Sequence, residues 1–234
     1  MSKIQSAPEH LALIPDGNRR WSRSHRLSLY RSYYLGIRKF IDFSLWAKSF
    51  GVRTLTVWAL STENATGRNK AELGALYKLY AKMATDEGVF QTLKRNQARV
   101  VVIGNMTLLP GSVKKALRAL ERRTRAFKEF TINILIGYGG KEDVLYAVRR
   151  LAAQGYAATA IDERLLRQNL RTADVPEADL IIRTSGEMRT SGFLPWQSSY
   201  SELYFAKKYW PDFGKRDLRR AILEFSQRQR RFGR

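Results

Sequence analysis

Short apolar runs punctuate the chain at Leu11–Ile14, Thr54–Leu60, Val100–Ile103, Thr131–Ile136 and Leu180–Ile182. Each is rich in Leu, Ile and Val and too short for a helix, which is the pattern of a buried strand. Longer segments with apolar residues three and four apart lie between them. Residues 33–50 bring Leu35, Phe40, Phe43 and Ala47 toward one helical face, and residues 70–93 do the same for Leu73, Leu76, Tyr80 and Met83. Helical patterns also run over Gly111–Phe127, Lys141–Ala153, Asp162–Leu170 and Lys215–Arg230. Strands alternating with helices predict an α/β fold, a central and mostly parallel sheet flanked by helices on both faces. No Pro-, Gly- or Ser-rich linker and no repeat divides the sequence, so residues 1–234 are expected to form a single domain.

Charge adds to this picture. Lys and Arg exceed Asp and Glu by enough to give a net charge of +21. Such a field attracts nucleic acid, acidic lipid or diphosphates alike. Basic clusters occur at Arg19–Arg26, Arg118–Arg125 and Arg228–Arg234, but no zinc-finger spacing, RNP-like motif or basic zipper accompanies them, so nucleic acid is not the expected partner. A solvated basic surface is the ordinary use of such residues, and peripheral contact with an anionic membrane is the next. The absence of cysteine excludes disulfides and thiolate metal sites and suits a reducing compartment. Two histidines, His10 and His25, leave little room for a zinc site or a catalytic triad. With no membrane-spanning run and no leader pattern, the expected location is cytoplasmic, with peripheral contact at the membrane surface.

Two segments carry candidate chemistry. Residues 182–205 place Arg183 and Arg189 across a Ser-Gly turn, follow them with Ser191, and bring in Glu202 on what reads as a helical turn. Guanidinium forks suit phosphate oxygens, and a carboxylate suits a hard cation that also binds substrate phosphates. Near the other end, the strand Leu11–Ile14 stops at Pro15-Asp16-Gly17-Asn18, and Arg19, Arg20 and Trp21 begin a helix. A helix start beyond a strand end attracts anions. Asp16 there reads equally as a ligand of a metal–diphosphate or as a helix-capping residue.

Both segments resemble the signature regions of the cis-prenyltransferases, the undecaprenyl diphosphate synthase family. The early motif corresponds to Asp16-Gly17-Asn18-Arg19-Arg20-Trp21, and the late one to Arg183-Thr184-Ser185-Gly186-Glu187 through Trp196-Gln197, then Glu202–Phe205 and Trp210-Pro211-Asp212-Phe213. Between them, Ala59–Asn64, Ile132-Asn133 and Tyr138-Gly139-Gly140 match further elements, and Arg231-Phe232-Gly233 matches the C-terminal one. The ordered matches span residues 10–233. The resemblance implies a transferase that condenses isopentenyl diphosphate with an allylic diphosphate, builds a cis double bond and houses the growing chain in a hydrophobic tunnel. It implies Mg2+ held by Asp16 and Glu202. Gly17, Asn18, Arg19, Arg20 and Trp21 would form the allylic-diphosphate region, Ser61 and Asn64 would orient the isopentenyl group and handle the proton, and Arg183, Arg189 and Ser191 would hold isopentenyl diphosphate. It also implies a homodimer in which Arg231 and Gly233 reach the neighbouring subunit's site.

The chain departs from the family pattern in one region. Leu29 stands where an Arg is usual, Ser32-Tyr33 where Gly-His is usual, and the Arg after the Glu-Asn element comes one residue late, as Arg68. Arg31, or Arg26, is the expected replacement cation, and Tyr33 offers a hydroxyl and an apolar face to phosphate and prenyl chain. Head-to-middle coupling, as in lavandulyl-type synthases, and a non-catalytic accessory subunit are the alternatives. Retention of Asp16 argues against the second.

Overall fold

The computed structural model describes residues 6–228. Six strands form one all-parallel sheet in the order β3-β4-β2-β1-β5-β6, with β1 at His10–Ile14, β2 at Thr54–Ser61, β3 at Ala98–Ile103, β4 at Phe130–Tyr138, β5 at Leu180–Arg183 and β6 at Glu202–Phe205. The five apolar runs are β1 to β5. Parallel strands covered on both faces read as continuous apolar stretches, and every residue of β1 is buried. Side-chain alternation splits them between two cores. Leu11 and Leu13 pack on the face covered by α2 (Leu29–Ser49), α4 (Lys70–Thr85), α5 (Glu87–Arg95), α6 (Gly111–Thr124) and α9 (Lys215–Gln227), while Ala12 and Ile14 pack with Val175, Ile181, Phe193 and Leu194 on the other.

The two short helices at the sheet's ligand edge are α1 (Asn18–Ser24) and α3 (Thr62–Gly67), and α7 (Gly140–Ala153) and α8 (Glu163–Asn169) complete the set among the described residues. The expected helix over 70–93 is broken in two. Asp86 takes an extended conformation, φ −71° and ψ 121°, and its carboxylate accepts the Val89 N–H at 2.9 Å, capping α5. Helix α2 begins at Leu29, earlier than expected, because the Ser28 hydroxyl caps it by accepting the Arg31 N–H. Its buried stripe runs through Ser32, Gly36, Phe43 and Ala47, with Leu35 only partly covered. Gly36 is where α2 touches α1, since a Cβ there would lie 2.6 Å from Asn18 Oδ1. Helix α9 is described to Gln227, short of the expected Arg230, which lies outside the described residues.

A second correction concerns Glu202. It opens β6, pairing beside Leu180, and is not on a helical turn. The run Leu203-Tyr204-Phe205 is apolar and aromatic, a composition that suits a strand, but four residues at the sheet edge give too short a pattern to announce one.

The strand order places the reversal point between β1 and β5: connections from β1 proceed toward β2, β3 and β4 on one side, and the chain then crosses to β5 and β6 on the other. Open parallel sheets bind ligands in the crevice at such a point, beyond the carboxyl ends of the strands. There Ile14 pairs with Arg183, which sets the Asp16 turn beside the end of β5.

Candidate active site

The Asp16 turn depends on a glycine. Gly17 sits at φ +101°, in the left-handed region, and an added Cβ would lie 2.7 Å from Tyr209 Cδ1 and 2.9 Å from Ser185 Cβ. Only a residue without a side chain lets α1 start this close to the 185 turn. The Asp16 carboxylate then accepts the Gly17 N–H at 2.6 Å and an Arg183 Nη2–H at 2.9 Å, with Arg20 Nη2 3.7 Å away. Burial alone would raise its pKa, but the hydrogen bond and charge of Arg183, with the Gly17 N–H and Ser185, outweigh burial and hold it below the usual carboxylate range. Asp16 is therefore an ionised carboxylate at neutral pH, bound by a cation rather than capping a helix through its side chain.

Arg183 ends β5 with its side chain 7% exposed. It donates from Nη1 to the Arg189 carbonyl at 2.6 Å and to Ser191 Oγ at 2.8 Å, so the guanidinium is tied to the 184–194 loop. That loop is strained in the sense that matters: Ser185, Ser191 and Leu194 all have positive φ, at 81°, 54° and 48°. Packing holds it there. Phe193 and Leu194 are fully buried, Phe193 stacks on Trp58 at 5.2 Å, and Gly140 has no room for a Cβ because the Gly192 carbonyl would be 2.1 Å from it. The Tyr138-Gly139-Gly140 element is thus the bed on which the loop rests.

A cavity of about 810 Å³ opens at this point and runs beneath the sheet, between β2, β3 and β4 on one side and α2, α4, α5 and α6 on the other. Its mouth is polar: Asp16, Asn18, Arg19, Arg20, Arg23, Arg68, Arg183 and Ser191 line it. Its depth is apolar, walled by residues such as Phe40, Leu76, Met83, Val100, Leu117 and Ile132, and it reaches Ala98 and Phe130 at the first residues of β3 and β4. Three buried polar atoms at the mouth have no hydrogen-bond partner: Asn18 Oδ1, Arg68 Nε and Arg183 Nε. Buried polar atoms are rarely left unpaired without a functional reason. Two of the three belong to guanidinium groups, which with Arg19, Arg20 and Arg23 give the mouth its cationic character.

Ser61 ends β2 and Asn64 lies in the first turn of α3, where the Ser61 hydroxyl accepts the Asn64 N–H at 3.1 Å; both residues line the cavity. On the opposite lip, Tyr33 donates to Glu72 Oε1 at 2.5 Å and accepts from Arg68 Nη1 at 3.1 Å, while Arg19 Nε and Arg68 Nη1 ion-pair with the same carboxylate oxygen at 3.1 and 3.2 Å. Burial raises the Tyr33 hydroxyl pKa, against the opposing charge of Arg68, to about 12, so it is a donor at any physiological pH.

Several expected site residues fall elsewhere. The Trp21 indole does not reach the cavity; it is buried, donates to Asp212 at 2.8 Å and stacks on His25. Arg31 is exposed with its guanidinium over the Tyr34 ring, and neither it nor Arg26 lines the mouth. The additional cation lining the mouth is Arg23, one helical turn beyond Arg19 and Arg20; Glu72 is the acid that gathers Arg19, Arg68 and Tyr33, and Arg68 and Glu72 at i and i+4 were the available signal. Arg189 does not line the cavity; it is 60% exposed and paired with Glu187, and its carbonyl accepts from Arg183. Arg20 is held by Glu187 at 2.9 Å and Ser185 at 2.7 Å. Glu202 cannot share a metal with Asp16 within one chain, because it lies level with Leu180 and Leu11 at the N-terminal edge of the sheet, whereas Asp16 is past the C-terminal edge. It pairs there with Arg228 at 2.6 Å. Arg231 and Gly233 lie outside the described residues.

Comparison with known proteins gives the same answer from residues 14 to 233, which match the family model described as "Putative undecaprenyl diphosphate synthase". The chain is 41% identical over 232 residues to the tritrans,polycis-undecaprenyl-diphosphate synthase (geranylgeranyl-diphosphate specific) of Methanocaldococcus jannaschii, covering 97% of this chain and 82% of the relative. It is 42% identical over 228 residues to the isoprenyl transferase of Thermotoga maritima, covering 97% of each. Among solved structures, lavandulyl diphosphate synthase from Lavandula x intermedia, in complex with dimethylallyl diphosphate, superposes with a TM-score of 0.92 at 32% identity over 97% of this chain and 99% of that one. A probable undecaprenyl diphosphate synthase from Campylobacter jejuni gives 0.80 at 27% identity, over 98% and 100%.

Proposed function

Because the chain belongs to the undecaprenyl diphosphate synthase family and is therefore a prenyl transferase, we propose that it elongates an allylic prenyl diphosphate with isopentenyl diphosphate, forming a cis double bond and releasing diphosphate. The observation that carries this reading is the cavity itself, cationic at the mouth with unpaired donors on Arg68 and Arg183, and apolar along its depth. That division matches an amphiphile with an anionic head and a hydrocarbon tail. Each buried methylene of such a tail stabilises the complex by about 0.8 kcal/mol.

The chemistry needs no covalent nucleophile. The allylic C–O bond breaks and its electron pair leaves on diphosphate. The double bond of isopentenyl diphosphate supplies the new carbon–carbon bond, and a proton is lost from the adjoining carbon. Fixed positive charge at the departing oxygen is the main catalytic contribution a protein can make to such a step. Arg19, Arg20 and Arg23, with Gly17 and Asn18 at the start of α1, hold the allylic diphosphate. Arg183 and Ser191, with Arg189 closing from its exposed position, hold isopentenyl diphosphate. Ser61 and Asn64 orient the isopentenyl double bond and accept the proton's passage toward the released diphosphate.

Magnesium fits this donor set. It binds through one or two carboxylates together with substrate phosphates, and Asp16 is an ionised carboxylate at the mouth, while no group of three His, Cys, Asp or Glu among the described residues would hold a metal by protein alone. Asp16 would be its ligand, and when bound the ion supplies positive charge to the leaving diphosphate. The protein acts as a homodimer in this reading. Its support is the family motif Arg231-Phe232-Gly233 and the position of Arg228, which leaves α9 beside Glu202 at the sheet edge remote from the chain's own Asp16. A location in the cytoplasm agrees with the fact that no helix among the described residues is long and apolar enough to cross a membrane.

The test is incubation with isopentenyl diphosphate, magnesium and one of dimethylallyl, geranyl, farnesyl or geranylgeranyl diphosphate, with products resolved by mass and NMR. Linear cis-polyprenyl diphosphates are expected, and the geranylgeranyl-specific relatives favour the longest primer. The second reading, head-to-middle coupling, is favoured by the close superposition on lavandulyl diphosphate synthase and by the altered Tyr33 corner. Branched product from dimethylallyl diphosphate alone would establish it and overturn the first.

A further inference from the structure

The site described above uses few of the chain's 42 Lys and Arg residues. A separate group gathers at the N-terminal edge of the sheet, opposite the mouth. The connections that enter β2, β3 and β4 all arrive there, and with the adjoining strand and helix ends they expose Arg53, Arg95, Arg99, Arg122, Arg125 and Lys128. Three of the acids nearby are already engaged, Glu87 by Arg123, Glu121 by Arg118 and Glu129 by Lys48, and exposed Glu9, whose carbonyl accepts the Arg53 and Thr54 N–H groups, offsets part of the charge at the Arg53 end. Among the described residues none of the six exposed cations forms an ion pair, so their charge is presented to solvent.

The far end of the cavity lies at this same edge. Buried Ala98 and Phe130 line it together with half-exposed Thr92 and Asn96. Lys48 straps that end, donating to the Asn96 carbonyl at 2.6 Å and to Glu129 at 2.8 Å. Beside it the half-buried rings of Phe90 and Phe127 stand 6.4 Å apart, with the Arg123 guanidinium 3.5 Å from the Phe90 centroid. Unpaired cations beside apolar aromatic side chains are what an acidic leaflet attracts and retains.

We propose that the N-terminal edge of the sheet docks on an anionic lipid bilayer, turning the far end of the cavity toward the membrane. The role given to the cavity rests on the elongation reading: a growing apolar chain that fills it would meet hydrocarbon rather than water. The docking itself rests only on the charge and shape of the edge. A lipid surface is preferred to a nucleic acid because the cations stand beside purely apolar rings, Arg123 over Phe90 and Arg125 and Lys128 on either side of Phe127 in the chain.

The experiment uses the full-length protein without substrate. It should sediment with equimolar phosphatidylglycerol–phosphatidylcholine vesicles, fail to sediment with phosphatidylcholine alone, and be released by raised salt, since screening weakens exposed charges. Replacing Arg95, Arg122, Arg125 and Lys128 together with Gln should weaken binding about five-fold per residue, roughly several-hundred-fold in all. Removing four charges elsewhere, with Lys141→Gln, Arg149→Gln, Arg164→Gln and Lys207→Gln, should leave it near wild type. Equal binding to neutral vesicles, no loss in the first variant, equal loss in the second, or capture by duplex DNA in place of vesicles would each overturn the proposal. The salt release is read on wild type, so it does not depend on a variant folding. Turnover of a short primer in detergent should be unchanged in the edge variant. A wild type that binds vesicles as described but turns over no prenyl substrate would support docking and strike the elongation reading alone.

Discussion

Replacing Arg183 tests the centre of the site, because one guanidinium holds three of its parts. It binds Asp16 at 2.9 Å, the Arg189 carbonyl at 2.6 Å and Ser191 Oγ at 2.8 Å, and its buried Nε has no partner. Removing the partner of a fully buried carboxylate costs about 3–5 kcal/mol. Asp16 is 31% exposed and keeps the Gly17 N–H and Arg20 nearby, so the cost of Arg183→Ala should be nearer 2 kcal/mol. For a chain of this size that is a fall in Tm of about 4–8 °C. The kinetic loss should fall on kcat/KM for isopentenyl diphosphate: a hydrogen bond to a charged group contributes about 1.5–3 kcal/mol, roughly ten- to a hundred-fold, and the Arg183 fork is already fixed by Ser191 and the Arg189 carbonyl. Arg183→Lys keeps the charge but not the fork and should fall between. The assay is steady-state kinetics with each substrate varied in turn, beside thermal unfolding. The KM for isopentenyl diphosphate should rise more than that for the allylic substrate. An Arg183→Ala enzyme with normal isopentenyl diphosphate kinetics and an unchanged Tm would refute both the site and the reasoning from its contacts.

Asp16→Asn should abolish magnesium-dependent turnover in the prenyl-transfer assay while the protein remains folded by circular dichroism. The same variant has a pH signature: since the folded-state pKa of Asp16 is lowered, its stabilisation is complete above the ordinary carboxylate range near pH 4 and is lost as the pH falls through the lower folded value, so wild-type Tm should drop with acid more steeply than that of Asp16→Asn. Arg23→Ala should raise the KM for the allylic diphosphate, whereas Arg31→Ala should leave the kinetics unchanged, in keeping with which of them lines the mouth. Tyr33→Phe removes a hydroxyl shared by Glu72 and Arg68 and should cost about 1 kcal/mol in denaturant unfolding while shifting preference within a panel of allylic primers. Deleting residues 230–234 should lower activity with little change in Tm, and a fully active monomer by light scattering would rule out the shared site.

The sheet was legible in the sequence because buried parallel strands announce themselves locally. Val100–Ile103 and Thr131–Ile136 are apolar runs whatever they pair with, and each lies within a strand, the first at the end of β3 and the second in the body of β4. What failed was local in a different way. The break at Asp86 depends on one capping carboxylate within an otherwise periodic run, and an N-cap inside a helical pattern looks the same as a polar residue on its outer face. The edge strand Glu202–Phe205 is set by its partner β5 more than by its own four residues, so tertiary pairing decided what propensity could not.

The site divides along the same line. Asp16, Gly17 and Arg183 lie at the ends of adjacent strands, and once the strands are parallel and paired, Ile14 beside Arg183, their meeting follows from topology. The opposite lip could not be reached in this way. Tyr33, Arg19 and Arg68 converge on one oxygen of Glu72 from sequence separations of 39, 53 and 4 residues, and three helices must be placed before any of these contacts exists. This also accounts for the mistaken choice of Arg31 as the replacement cation. Arg31 is two residues from Leu29 in sequence, but on a helix residues two apart point to different faces, and the cavity is supplied instead by Arg23 from the neighbouring helix. The corner that carries the chain's departures from its family is therefore one where helix packing chooses the side chains. Glu72 neutralises part of the charge of Arg19 and Arg68 there, as Asp16 does that of Arg183 at the strand ends. Substitutions at this lip should change which primer is accepted, and substitutions at the strand ends should change whether the reaction occurs.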